Sequence, residues 1–201
     1  RRQRQMCIRD RVIIMSYLFD SYAKIYDHFM RLFHLDDTSV IEHKLSKGQY
    51  HILDVGGGSG TLAADLQAAG HQVTIVDSSL SMLKEAKKKN TNVKLIHASI
   101  QKGLPINKVD VIICRDCLHH LMNQEKCLKL MLNYLNNNGF ILIHDFNQRA
   151  FRIKLLFLFE RCCFEKIKPV KPEQLVDFSL QNKLNIVFLP VSYTHLTLPT
   201  N

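Results

Sequence analysis

The stretch HILDVGGGSGTLAADL, residues 51–66, constrains this chain more than any other. An apolar run ends at Asp54, the next turn holds Gly56, Gly57, Gly58 and Gly60, and a helix-like pattern starts at Thr61. Glycines there let a ligand come close to the backbone, and a helix that begins on such a turn points its free N–H groups at that ligand. Two ligand classes suit the turn, and they differ in charge.

The rest of the chain repeats the strand-then-helix theme. YHILDV, QVTIVD, VKLIHA, VDVIICR and GFILIHDF read as strands. TLAADLQAAG (closed by Gly70), SLSMLKEAKKK (basic face in water) and EKCLKLMLNYL read as the helices between them. Near-continuous apolar strands separated by helices predict an α/β fold: a doubly wound, mostly parallel sheet with helices on both faces. Its right-handed crossovers bring the loops after the strands to one edge, where ligands bind in such folds. Asp54, Asp77, Ser99, Asp116 and Asp145 fall at or just after predicted strand ends. Residues 16–33 show helical spacing, and Val40, Ile41 and Leu45 suggest a second helix ending near Gly48. After residue 150, RIKLLFLFERCCF reads as an apolar packing helix, KPEQLVDFSLQNK as a short helix and NIVFLP as a last strand.

The formal net charge of +9 would ordinarily suggest a nucleic-acid or membrane-surface partner. Residues 1–11 carry Arg1, Arg2, Arg4, Arg9 and Arg11 against Asp10, so the remainder holds +5. Those first residues and VSYTHLTLPT near the end are encodable by opposite strands of one DNA word. That word resembles a transposon adapter used to prepare sequencing libraries. We therefore read 1–11 and 191–201 as translated scars, 12–48 as an N-terminal helical lid and 49–190 as the main domain. With the charge so reduced, no nucleic-acid partner is expected. Met15 is a candidate native start.

No apolar run approaches the roughly 20 residues of a membrane span. The odd number of cysteines outside the scars, with no signal peptide, suggests free thiols in a reducing compartment, hence a cytoplasmic protein. Cys114 and Cys117 form a lone C-x-x-C with no second ligand pair, so packing is preferred to zinc and no metal is expected.

One reading of the turn is dinucleotide binding: Gly58, Gly60 and Ala63 fit G-x-G-x-x-A, with Asp77 as the ribose acid. Asp54 would repel the pyrophosphate, and no Arg or Lys stands near the loop in sequence to offset it. S-adenosylmethionine inverts the electrostatics, because it lacks phosphate and carries a positive amino group and sulfonium. DVGGGSG then reads as D-x-G-x-G-x-G, with Asp77 accepting from the ribose hydroxyls. The alternative for Asp77 is a helix N-cap ahead of SLSML.

These residues, with FDSYAKIYD, ILDVGGGSG, VTIVDSSLSML, VDVIICRDCLHHL and LNNNGFILIHDF in that order, resemble the class I S-adenosylmethionine-dependent methyltransferases, in the broad branch that includes quinone-biosynthesis methyltransferases. The resemblance runs from residue 17 to about 190 and implies a Rossmann-like fold. It implies that Asp54, Val55, Gly56, Gly57, Gly58, Ser59 and Gly60 line the methionine and ribose part of the cofactor. Asp77 would hold the ribose, Ser78 and Met82 would lie near the adenine, and Ala98, Ser99 and Ile100 would flank the base. Ser99 stands where the family often has an acid. Cys114 and Arg115 would border the methionine end, and Leu118 and His119 would face the reaction chamber. Tyr22 and Tyr26, one helical turn apart, share a face that either closes over the cofactor, with Tyr26 near its amino-acid end, or simply packs the helix on the sheet.

The implied activity is methyl transfer to a small-molecule acceptor by in-line displacement, leaving S-adenosylhomocysteine. His119, His120 and Asp116 are candidates for substrate contact or proton removal, and His144 and Asp145 are weaker ones. The plain alternative for the histidine pair is structural, one packed and one facing solvent. Two other functions stay open: an NAD(P)-dependent oxidoreductase and a non-catalytic S-adenosylmethionine-binding module. The family's sheet ends in an antiparallel hairpin whose last strand inserts beside the fifth. With the native sequence read as truncated after NIVFLP, either the fifth strand keeps an open edge or THLTL is drawn in to cover it. Neither the acceptor nor the oligomeric state is legible.

Overall fold

The computed structural model describes residues 27, 28, 30–32, 37–89, 92–145, 154 and 167–184, and the backbone alone of 146, 187–190 and 193–199. Tyr22, Tyr26 and the expected apolar helix over 152–164 lie outside the described residues, apart from Lys154.

Five strands follow the predicted order: β1 (His51–Val55), β2 (Gln72–Asp77), β3 (Lys94–His97), β4 (Val109–Arg115) and β5 (Leu135–Phe146). β1 pairs in parallel with β2 on one side and with β4 on the other, β3 adds to β2, and β5 adds to β4. The sheet order is β3-β2-β1-β4-β5-β7-β6, so the winding reverses between β1 and β4. A reversal of this kind leaves a crevice beyond the strand C-termini, because the two halves send their crossover helices to opposite faces.

Neighbouring strand residues serve both faces. Leu53 and Val55 pack with Cys127, Leu128 and Met131 of α4 (Gln124–Asn133) and with Leu175 and Phe178 of α5 (Pro172–Gln181). Ile52 belongs to the opposite layer, with Ile41 and Leu45 of α1 (Ser39–Leu45), Leu62 and Leu66 of α2 (Thr61–Ala68), and Leu83 and Ala86 of α3 (Leu80–Lys89). This two-sided burial explains why the strands lack polar alternation. Each full burial of a leucine-sized side chain stabilises the fold by roughly 1.5–3 kcal/mol before entropy is subtracted.

Local chemistry sets the helix ends. Asn123 Oδ1 accepts from the Lys126 amide at 3.1 Å at the start of α4, and Pro172 opens α5 where no donor is needed. Gly70, at φ +94°, turns the chain out of α2 into β2.

One feature departs from the expected outline, and another decides between two expectations. β5 begins earlier than GFILIHDF because Val109 pairs with Leu135, after which the register jumps and Val111 pairs with Phe140. Asn136, Asn137 and Asn138 are the exposed bulge between them. At the far edge, β6 (Val187–Pro190) is followed by β7 (Tyr193–Pro199), which pairs antiparallel with both β6 and β5. Residues of the THLTL stretch thus cover the fifth strand, the second of the two outcomes expected.

Candidate functional site

The glycine turn forms where β1 meets α2. Gly56, Gly58 and Gly60 all have positive φ, at +72°, +54° and +74°. A Cβ on Gly56 would lie 2.2 Å from Cys117 Sγ, and one on Gly57 would lie 2.5 Å from Asp54 Oδ2. Gly58 differs: a Cβ there meets nothing nearer than 3.9 Å, so its backbone faces open space. The Gly56 amide donates to Val76 O at 2.7 Å, and the Gly58 amide donates to Asp77 Oδ2 at 2.9 Å, which ties the turn to β2.

Asp54 is 2% exposed, and its Oδ2 has no hydrogen-bond donor among the described residues. Burial pushes its carboxyl up to about 7, with Arg115 pulling down and Asp77 adding to the rise. A carboxyl so poised gains its charge most readily when a cation arrives beside it.

Asp77 uses both oxygens within the protein: Oδ1 accepts from the Ser79 amide at 2.7 Å, and Oδ2 from Gly58. Burial raises its carboxyl above the usual range, against the downward pull of these backbone bonds. The helix cap that might have fallen to Asp77 is made by Ser79, whose Oγ accepts from the Met82 amide at 3.3 Å.

A cavity of about 450 Å³ opens beside the turn, lined by Asp54, Gly56, Gly57, Gly58, Arg115 and Asp116 from the strand ends. Asp27, Met30 and Arg31 of the N-terminal helical segment form another wall, and Ser59, Thr61, Leu62, Ala64, Asp65 and Lys89 complete it. Of these nine, the sequence reading reached only Ser59 and missed the other eight. FDSYAKIYD ends on Asp27, and Ser59 stands between the glycines, but nothing in linear order places Lys89 there. Lys89 closes the basic face assigned to water, yet its Nζ turns back to donate to Ser59 Oγ at 3.0 Å and Thr61 Oγ1 at 2.7 Å. The turn therefore does have a cation near it, supplied by α3, and Asp27 already pairs with it.

After β4 the chain turns sharply. Asp116 has φ +48°, its amide donates to His144 O at 2.8 Å, and its Oδ2 lies 3.3 Å from Arg115 Nε. Beyond it, Leu118 and His119 are fully buried, and neither lines the cavity. The His119 ring meets Asp145 Oδ1 through Nδ1 at 2.7 Å, and its amide donates to Asp145 Oδ2 at 3.2 Å. His120 is exposed, and its ring meets that of His119 at a 45° tilt with centroids 4.1 Å apart. One histidine of the pair is thus packed and the other faces solvent.

The other predicted positions are spread around the turn. Val55 and Cys114 are buried in their strands, and Met82 is buried in α3. Gly60 closes the turn against Ala86, its amide donating to Gly57 O at 3.0 Å. Ser78 accepts through its carbonyl from His97 Nε2 at 3.0 Å. Ala98 and Ser99 are half-buried after β3, and Ile100 is buried. Ser99 Oγ accepts from the Gln101 amide at 3.4 Å, a weak cap of the one-turn helix Ile100–Lys102. None of these lines the cavity, and Cys114, in β4, lies across β1 from Asp77. Among the described residues no cluster of metal-ligating side chains occurs, and no helix is long and apolar enough to cross a membrane.

Residues 53–143 match the family described as Methyltransferase domain. A ubiquinone biosynthesis O-methyltransferase of Rickettsia typhi is 27% identical over 157 residues, covering 74% of this chain and 62% of its own. An uncharacterized methyltransferase of Alkaliphilus oremlandii is 26% identical, with 88% of each chain covered. Among solved structures, a SAM-dependent methyltransferase of Thermotoga maritima superposes with a TM-score of 0.71 at 15% identity, over 92% of this chain and 99% of that one. The chain is similar to the class I S-adenosylmethionine-dependent methyltransferases, a branch that includes the quinone methyltransferases, through a methyltransferase-domain match over 91 of its 201 residues and a shared Rossmann-like fold. It spans 62% of the length of the Rickettsia typhi relative and 51% of the Rickettsia prowazekii one.

Proposed function

We propose that the chain is an S-adenosylmethionine-dependent methyltransferase that passes a methyl group to a small-molecule acceptor by in-line displacement, in the cytoplasm. The observation that carries this reading is Asp54: a buried carboxyl with one oxygen lacking a donor among the described residues, at the wall of a cavity beside an open glycine backbone. A cationic ligand satisfies that oxygen, whereas a pyrophosphate meets repulsion there. Lys89, the cation nearest the start of α2, is already matched by Asp27, which also weighs against the dinucleotide alternative.

When bound, S-adenosylmethionine supplies an activated methyl on sulfur, so the protein's task is alignment and exclusion of water. In this reading Asp54 holds the positive amino-acid end, the backbone of Gly56–Gly58 and Val55 shapes the turn, and Asp77 receives the ribose hydroxyls. Ser78, Met82, Ala98, Ser99 and Ile100 border the base. Cys114, Arg115 and Tyr26 complete the methionine end. Asp116 is the group assigned to the acceptor, because it alone of the three catalytic candidates lines the cavity. His119, locked on Asp145, supports the loop that carries it.

Calorimetric titration of the full chain at pH 8 with S-adenosylhomocysteine, and separately with NADH, tests the cofactor. Binding of the first and not the second is expected, and the reverse result overturns the proposal. Methyl transfer from labelled S-adenosylmethionine to pooled small molecules then separates an enzyme from a binding module.

A further inference from the structure

The N-terminal helical segment is fastened to the rest of the chain by a compact polar cluster at one side of the cavity. Ser59 Oγ donates to Asp27 Oδ1 at 2.5 Å, and Thr61 Oγ1 donates to the same oxygen at 3.2 Å. Lys89 Nζ pairs with Asp27 Oδ2 and also reaches both hydroxyls. Three elements meet here: the segment around residue 27, the turn leading into α2, and the last residue of α3. One turn further along the segment, Met30 is 4% exposed and Arg31 flanks it, both lining the cavity. The polar cluster and the cavity wall are thus parts of one short helical stretch.

Burial works against the charge on Asp27, but Lys89, Ser59 and Thr61 outweigh it and hold the carboxyl below its usual range. The cluster is partly open to solvent, so it is far easier to break than the apolar layers behind it.

We propose that Asp27, Lys89, Ser59 and Thr61 form an ionic latch that closes the N-terminal segment over the cavity and must open before the cavity's occupant leaves. Asp27 and Lys89 are positioning residues, acting through the segment they hold. The identity of the occupant rests on the methyltransferase reading; the latch itself does not.

Release of radiolabelled S-adenosylhomocysteine from the full chain, followed by rapid filtration, tests the latch. Lys89→Met and Asp27→Asn are each expected to release it about tenfold faster, the change that loss of one charge-assisted hydrogen bond produces. The double variant should be no faster than either single one, and the exchanged pair Asp27→Lys with Lys89→Asp should recover part of the loss. Release from Lys89→Met at the wild-type rate overturns the proposal. A second measurement needs no ligand: amide hydrogen exchange at residues 30–32. It should quicken in Lys89→Met, and in the wild type on raising salt from about 50 to about 500 mM, which screens the pair. Exchange indifferent to both changes also overturns the latch. Failure of S-adenosylhomocysteine to bind the wild type removes the cofactor reading alone, and exchange still decides the latch.

Discussion

The carboxylate of Asp77 accepts the Gly58 amide at 2.9 Å, so the end of β2 holds the middle of the glycine turn in place. With its other oxygen on the Ser79 amide, Asp77 is a structural post as well as a candidate ribose acceptor. Asp77→Ala strands two backbone donors, at about 1–3 kcal/mol for each that stays buried. The ligand-free variant should melt several degrees lower by differential scanning calorimetry, in addition to losing cofactor affinity. An unchanged melting temperature would mean that the turn holds itself.

The glycines of the turn are expected to differ sharply. Gly56→Ala combines positive φ with a collision against Cys117 and should cost about 2–4 kcal/mol. Gly58→Ala carries only the backbone strain, about 1 kcal/mol, because space lies beyond it. Urea unfolding of both, beside S-adenosylhomocysteine titration, should show Gly56→Ala failing in stability and Gly58→Ala failing in binding.

Asp54 sets a pH dependence of binding. Its carboxyl, pushed up to about 7, must shed a proton to face a cation. Affinity for S-adenosylmethionine should therefore be steady above pH 7 and fall about tenfold per pH unit below it. Asp54→Asn should flatten that slope and bind weakly throughout. A wild-type profile level from pH 8 to pH 5.5 would break the link between this carboxyl and the ligand.

His71 gives a pH signature in stability. Its Nδ1 accepts from the Tyr50 amide at 3.2 Å, and burial lowers its titration below the ordinary imidazole value. The folded state thus binds fewer protons than the unfolded chain. Its contribution is present above the ordinary value of about 6.5 and is lost as pH falls from there through the lowered folded value. Asp54 acts with the opposite sign over part of that range, so the comparison must be by difference. Subtracting the pH slope of His71→Leu from that of the wild type should leave a loss of stability toward pH 5.

Much of the fold was legible because buried parallel strands are written as unbroken apolar runs. VDVIICR and QVTIVD leave little else to be. The bulge at Asn136–Gly139 was not legible, since it follows from where Val109 and Val111 find partners. Asp54, Gly56 to Gly58, Arg115 and Asp116 could be read as one site because strand C-termini share an edge. Asp27 and Lys89 could not. Their meeting depends on how α3 packs against the turn and how the N-terminal segment crosses it, and no local spacing encodes either. The inward turn of His119 was illegible for a related reason: it follows the cavity residue Asp116 by only three positions, yet its ring turns to Asp145.

The winding reversal at β1 also bears on the order of folding. Ile52 pairs with Val73 across a short crossover and with Val111 only after β2, α3 and β3 have intervened. Closing the longer loop costs more chain entropy, so β1, α2 and β2 are expected to condense before β4 docks. The crevice between the two halves comes into being only with that late pairing. A small molecule seated there has nothing to grip in the earlier stages. It should leave the refolding rate nearly untouched and slow unfolding instead, lengthening the life of the native state rather than hastening its birth.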